Sequence, residues 1–328
     1  MLRFALVGAG SIGKKHAWCI RSIEGASIEA VVDTDLEAAR ALAGGEAKAF
    51  ATLDEALASG GIDAVDVCTP TPVHAPIAIA ALEAGKHLLL EKPMARTLDE
   101  CDAIIAAAQR APGVAMVAHV LRFFPEYAAA RDAVLAGKAG KPAVVRTSRG
   151  GKFPRGESSW YADIDQSGGV ALDLIVHDFD WLLWCLGPAT RVFARGMAPG
   201  RPRGQDYALV TINFASGCIA HVEGTWMRPS GFETWFEIAG DGGLIDYSSR
   251  DSASLEVAVR AAPGEGEAVQ IPESPLAESP YLAEIRHFVE CASTGQQPSI
   301  TLQEARDAAR IALAALESMD TGQPVTIA

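Results

Sequence analysis

The sequence predicts an α/β protein in two parts: a doubly wound parallel sheet first, then a second α/β domain built on an open, largely antiparallel sheet. Three observations carry this. The chain opens on a short apolar run, Leu2 to Val7, that passes directly into Gly8-Ala9-Gly10-Ser11-Ile12-Gly13 and a helical stretch to about Ser22. Strand-like and helix-like stretches then alternate up to about residue 120, the pattern of βαβ units. Beyond that point strand-like segments follow one another with turn signals such as Ala215-Ser216-Gly217, which indicates hairpins.

The glycine spacing acquires meaning from the strand before it and the helix after it. This is the Rossmann arrangement. Gly8 allows the tight turn, Gly10 the close approach of a pyrophosphate, and Gly13 the packing of helix on strand. Ser11 and Ile12 open a helix whose first N–H groups and dipole favour an anion. Asp33 ends the next strand, Ile28 to Val32, 20 residues past Gly13, the spacing of an acid that binds the adenosine ribose. A carboxylate there repels a 2′-phosphate, so NAD is expected rather than NADP. Alternatively Asp33 caps the helix beginning near Leu36, a task open to Asp35 as well.

A strand over Ala64–Cys68 leads into Thr69-Pro70-Thr71-Pro72-Val73-His74, where two prolines stiffen a loop. A helix to Glu83 follows, then a strand from His87 that ends at Glu91-Lys92-Pro93. Ligands of parallel sheets bind beyond the strand C-terminal ends, which puts Lys92 on the ligand side. A helix over Thr97–Gln109 and a strand over Val114–Ala118 complete the series.

In the second part a helix runs to about Leu135, and strands are expected near 143–148, 191–197, 207–214, 218–226, 234–239 and 255–259. Among them a continuous helix is predicted from Gly168-Gly169 to Gly187-Pro188. Leu172, Ile175, Val176, Phe179 and Leu183 form its apolar face, and Asp173, His177 and Asp180 a separate stripe. Asp173 and His177, four apart, can act on one ligand or satisfy each other as a structural pair. Two amphipathic helices, near 281–292 and 301–319, end the chain.

A length of 328 residues suggests about two domains, drawn here as 1–120 for NAD binding and 121–328 for substrate binding and oligomerisation. The C-terminal helix is expected to pack back on the first. Hydrophobic content of 49% supports a large core, and a net charge of −13 argues against nucleic acid or an anionic membrane as partner. No apolar run reaches the ~18 residues that span a bilayer. The six cysteines form no C-x-x-C or zinc-spaced cluster, so no metal is expected. A reducing compartment, the cytoplasm, follows, and Leu2–Val7 is too short for a secretory leader.

Taken together, these motifs resemble the Gfo/Idh/MocA oxidoreductases. The resemblance is carried by the glycine loop, Thr69-Pro70 with His74, Ala84-Gly85-Lys86-His87 before Glu91-Lys92-Pro93, and Arg122-Phe123 with Pro125. It continues through Ser167-Gly168-Gly169 with Asp173, His177 and Asp180, then Tyr281, Glu284 and Phe288, and finally Ser318, Gly322 and Val325. The resemblance implies a hydride transfer between nicotinamide and a secondary alcohol of a sugar, polyol or cyclitol, with Lys92, Asp173 and His177 as the catalytic group. It places Thr69, Pro70, His74, Glu91 and Lys92 with the cofactor. Arg122, Trp160, Tyr161 and Asp163 become candidates for the substrate pocket, although aromatic core packing also explains Trp160 and Tyr161. A cis Lys92-Pro93 bond is expected on the same ground. The other reading is a sugar-sensing protein of the same fold that binds the nucleotide without turnover; the intact Lys92, Asp173 and His177 favour the enzyme. A homodimer or homotetramer joined through the free face of the C-terminal sheet is also expected.

Overall fold

The computed structural model describes residues 1–154, 160–197, 207–251 and 278–327. The chain forms two compact units, Met1–Phe123 with Glu278–Arg306, and Phe124–Ala277 with Asp307–Ala328.

The first unit begins with β1 (Leu2–Val7), α1 (Ser11–Arg21), β2 (Ala26–Val32), α2 (Leu36–Ala43), β3 (Lys48–Phe50), α3 (Leu53–Ala58) and β4 (Ala64–Val67). It continues through α4 (His74–Glu83), β5 (His87–Glu91), α5 (Leu98–Arg110) and β6 (Ala115–Ala118). The six strands lie in the order β3-β2-β1-β4-β5-β6, all parallel. Their central members are almost wholly buried on both faces, so they read as mostly apolar runs, broken by Arg3 and Asp66, rather than alternating ones. β3 has three residues, too few to show a period, and the sequence did not reveal it. Thr97 caps α5 in a reciprocal box with Glu100, which fixes where that helix starts.

The second unit holds α6 (Pro125–Leu135), β7 (Pro142–Gly150), α7 (Ile164–Ser167), α8 (Val176–Leu186), β8 (Ala189–Met197), β9 (Tyr207–Phe214), β10 (Ile219–Thr225), β11 (Glu233–Gly240) and β12 (Leu244–Ser248). The chain then returns to the first unit with α9 (Pro280–Thr294), where Phe288 packs 6.1 Å from Phe4 of β1. α10 (Leu302–Thr321) starts in the first unit and ends in the second, followed by β13 (Val325–Thr326). The second sheet has the order β12-β11-β7-β10-β9-β8-β13, with β7 and β10 parallel and the other neighbours antiparallel. The strand expected near 255–259 lies outside the described residues. The short strands β12 and β13 were not foreseen.

One face of this sheet is apolar and covered. Val192, Ala194, Val210, Ile212, Ala220, Val222, Phe236 and Ile238 point into it and are buried. Phe236 meets Trp181 of α8 at 4.7 Å and Tyr127 of α6 at 5.1 Å between ring centroids. The alternate residues, among them Arg146, Phe193, Leu209 and His221, are exposed.

The expected single helix from Gly168 to Gly187 is a correction. The chain makes a π-helical turn over Val170–Leu174, and Ile175 breaks it at φ −87°, ψ 4° before α8 begins at Val176. The Ile175 amide donates to the Val170 carbonyl at 3.0 Å, five residues back. Such turns occur frequently at functional sites. The sheet decides the geometry: a Cβ on Gly224 of β10 would lie 2.6 Å from Ile175 Cγ2 and 3.2 Å from Val170 Cγ2. The missing side chain lets this segment lie directly on the sheet.

Below it, Arg149 of β7 donates through Nε to Asp178 Oδ2 at 2.6 Å, with Arg149 2% and Asp178 0% exposed. Arg149 also reaches the Tyr127 hydroxyl at 3.4 Å. Breaking a buried pair by removing one partner leaves an uncompensated charge. Arg149→Ala is therefore expected to cost about 3–5 kcal/mol in urea denaturation, and the double exchange Arg149→Met with Asp178→Leu to recover most of it.

Candidate active site

The glycine loop is shaped by close contacts. Gly8 sits at φ +106°, and a Cβ there would lie 2.5 Å from the Cys68 carbonyl oxygen; one on Gly13 would lie 1.9 Å from that of Gly8. Gly10 differs: nothing in the protein lies within 4 Å of a Cβ built on it. It caps α1 with no side-chain hydrogen bond, and the first turn of α1 carries no acid. The first amides of a helix have no partner within it. The loop is thus an open, anion-favouring cradle.

Asp33 stands beside it. Its Oδ2 accepts from the Ala9 amide at 2.7 Å and its Oδ1 from the Asp35 amide at 2.9 Å. The cap of α2 is Asp35, which accepts from the amides of Glu37 and Ala38. Asp33 is therefore not needed as a cap, and its carboxylate is fixed against the loop. This donor set fits the diphosphate and adenosine ribose of NAD: amides for the one, a carboxylate for the other.

The loops after β4 and β5 are tied together by His74, which is 1% exposed. Its Nε2 lies 2.9 Å from the Thr69 carbonyl oxygen and its Nδ1 2.9 Å from that of Pro93. Burial pushes its pKa below the ordinary histidine range. The Lys92-Pro93 bond is cis, as expected. Glu91 is 6% exposed; its Oε2 accepts from the Lys92 amide at 2.9 Å. Both side chains shape these loops from within. Lys92 itself is half-buried.

In the second unit, residues 167–182 are all buried except His177, which is half-buried. Asp173 lies in the π-turn and is 9% exposed, and Asp180 is fully buried. Asp173 and His177 stand on opposite sides of the break at Ile175, not on successive turns of one α-helix.

Trp160 and Tyr161 stack on each other at 4.1 Å between centroids, and Tyr161 meets Trp226 edge-on at 6.3 Å. Both are half-buried, so ring surface remains exposed. Asp163 caps α7 by accepting from the Asp165 amide at 3.0 Å. Arg122 is engaged within the first unit. It is 5% exposed and donates to Glu304 at 3.0 Å and to the Ser299 carbonyl at 3.2 Å, so it ties segments of the first unit together.

Sequence reasoning missed His16 and Asp66. Both are 0% exposed and joined at 2.9 Å. The available signal was an acid inside the wholly buried strand Ala64-Val65-Asp66-Val67.

Two family models match the chain. The one for the GFO/IDH/MocA oxidoreductase family, NAD-binding Rossmann fold, covers residues 2–119, and the one for the GFO/IDH/MocA C-terminal domain covers 127–246. The chain is 30% identical to a scyllo-inositol 2-dehydrogenase (NAD(+)) of Bacillus subtilis (strain 168), over 99% of this chain and 96% of that one. It is 31% identical to a 1,5-anhydro-D-fructose reductase of Ensifer adhaerens, over 100% and 99%. The crystal structure of GenD2 from gentamicin A biosynthesis, in complex with NAD, superposes with a TM-score of 0.89 at 27% identity, over 100% and 96%.

The two glycines of the loop should separate under substitution. Gly10→Ala should melt like the wild type but bind NAD on the order of tenfold more weakly in a fluorescence titration, because the methyl occupies the cradle. Gly13→Ala should lower the melting temperature sharply, because its Cβ meets backbone.

Proposed function

Since the chain belongs to the Gfo/Idh/MocA family of NAD-binding oxidoreductases, we propose that it oxidises or reduces a secondary alcohol or ketone of a polyol, sugar or cyclitol. NAD supplies the hydride acceptor. Gly8, Gly10, Ser11, Ile12, Gly13 and Asp33 hold it, with Thr69 and Pro70 on the adjoining loop, and His74 and Glu91 keep that region in shape.

His177 takes the proton of the reacting alcohol. The observation that carries this is its exposure within a segment that is otherwise buried from 167 to 182. Its Nδ1 is enclosed. Histidine is the side chain best suited to proton exchange near neutrality. Asp173 orients the substrate hydroxyls or the imidazole, and the Lys92 ammonium stabilises charge developing on the oxygen. The exposed ring surface of Trp160 and Tyr161 suits the apolar face of a sugar or cyclitol. The names of relatives that act on inositols and on 1,5-anhydro-D-fructose support this substrate class.

The uncovered sheet face supports self-association. Phe193 and Leu209 are 36% and 45% exposed on it, beside the cross-strand pair Arg146–Glu237 and the half-buried Val144 and Ile219. Apolar area mixed with both signs of charge can match a two-fold copy of itself. All six cysteines are free and no helix among the described residues is long and apolar enough to cross a membrane; we place the protein in the cytoplasm.

A panel of sugars and cyclitols assayed for NADH production identifies the substrate. With it, His177→Ala should lower kcat for oxidation by on the order of 10²–10⁴ while leaving NAD affinity nearly unchanged. Wild-type kcat/KM for oxidation should fall toward acid pH, where the base is protonated. Turnover by His177→Ala close to wild type, with chemistry rate-limiting, would contradict the assignment.

Light scattering at micromolar concentration should give a dimer or tetramer, and Phe193→Asp with Leu209→Asp a monomer. A monomeric wild type would refute the interface.

A further inference from the structure

We propose that His16 is a positioning residue for Lys92: held as an imidazolium between Asp66 and Glu91, it fixes the Glu91 carboxylate that carries the Lys92 backbone. The inference rests on the assignment of Lys92 above and deepens it.

The geometry is compact. His16 comes from α1, Asp66 from β4, and Glu91 is the last residue of β5. His16 Nδ1 lies 2.9 Å and 3.1 Å from the two Asp66 oxygens, and Nε2 lies 3.2 Å from Glu91 Oε1. The other Glu91 oxygen accepts from the Lys92 amide. The His16 and Asp66 side chains are 0% exposed and that of Glu91 is 8%.

A neutral imidazole has one N–H and one lone pair, so it can donate to one carboxylate only and turns its lone pair on the other. An imidazolium donates to Asp66 through Nδ1 and turns its second N–H side to Glu91 Oε1 as a charge contact at 3.2 Å, outside hydrogen-bond geometry. It also places a positive charge between two deeply buried carboxylates. The remaining titratable groups around the ring do not compete. Cys68 Sγ lies 3.6 Å from Asp66 Oδ1, and burial holds that thiol neutral, far above the usual range. Tyr281 of α9 stacks at 6.5 Å, with Lys15 beyond it over the tyrosine ring. Burial alone would lower the pKa of His16, but the charge and hydrogen bond of Asp66, with the neighbouring Cys68, outweigh this and hold it well above the ordinary histidine value. Glu91 is driven up by burial and down more strongly by His16 and Lys92, and ends below the carboxylate range.

The charges therefore run in sequence, Asp66, His16, Glu91, Lys92, alternating in sign. The same α1 that opens on the nucleotide cradle pins the turn that carries the lysine. Without His16 the Glu91 carboxylate loses its anchor, and the Lys92 backbone loses its fixed acceptor.

The test uses the whole chain. With selective ¹⁵N labelling of histidine rings, His16 should show both nitrogens protonated at pH 8; a neutral ring overturns the inference. In kinetics, His16→Gln should lower kcat by on the order of ten- to a hundredfold, the scale of an ångström's misplacement, with little change in NAD affinity. The same substitution should cost almost nothing in a Lys92→Ala background, because it acts through the lysine. A purely structural role would reduce both backgrounds alike, and full additivity overturns the inference. If His16→Gln folds poorly, Asp66→Asn combined with it restores the charge balance, and Glu91→Gln probes the same link from the other side. The two readings fail separately. A wild type inactive on every polyol overturns the substrate class, whereas an active wild type with additive losses overturns the role of His16.

Discussion

The close seating of residues 167–182 on the second sheet is the constraint from which the rest of that unit follows. Gly224 removes the one side chain that would hold Val170 and Ile175 away from β10. The segment that lies there runs as a π-turn with a break at Ile175. Packing then holds the segment still. Trp181 lies against Phe236 and Tyr127, and its indole N–H donates to the Tyr127 carbonyl at 3.1 Å. Arg149 neutralises Asp178 directly after His177. The proton transfer proposed for His177 benefits from a rigid base, because misplacement by an ångström is costly in rate. The ion pair is better understood as fixing one arrangement than as adding stability, since buried pairs often do little more than offset their own desolvation.

The first unit solves a related problem with charge. On the role proposed for Lys92, its ligand side presents an ammonium at a strand end, and the backbone carrying it must not drift. The His74 ring lies between the carbonyls of Thr69 and Pro93 and can donate to one of them, and Glu91 accepts from the Lys92 amide. Each of these supports is buried, so each is strong in a medium of low dielectric and costly to leave unpaired. The adjoining cradle follows the opposite principle. Gly10 leaves space open, and the first amides of α1 are oriented toward an anion the protein does not itself supply.

Much of this is written locally. The glycine loop is legible because Gly8 and Gly13 answer to backbone contacts within a strand, a turn and a helix. Asp33 is legible because its distance from the loop is set by one βα unit. Cap residues such as Thr97 mark helix starts by their own hydrogen bonds. Alternation in β9 matched its observed span, because one face of that strand is covered and the other is not. The motifs around Lys92, Asp173 and His177 also pointed to the family, since their combination spans the chain.

What the sequence by itself determined is therefore the local part: the parallel sheet, the glycine loop between β1 and α1, the span of β9, and the family. Only the tertiary structure decided the rest, because it depends on partners far away in the chain. Arg122 looked available until Glu304 and Ser299, remote in sequence, were brought to it. His16 was invisible until two strands set Asp66 and Glu91 on either side of its ring. The periodicity of residues 168–187 is that of an α-helix, and nothing within it foretells a π-turn. That turn lies against a glycine on β10, more than forty residues downstream. Periodicity and spacing report on neighbours along the chain, whereas strain, burial and charge pairing are settled by neighbours in space.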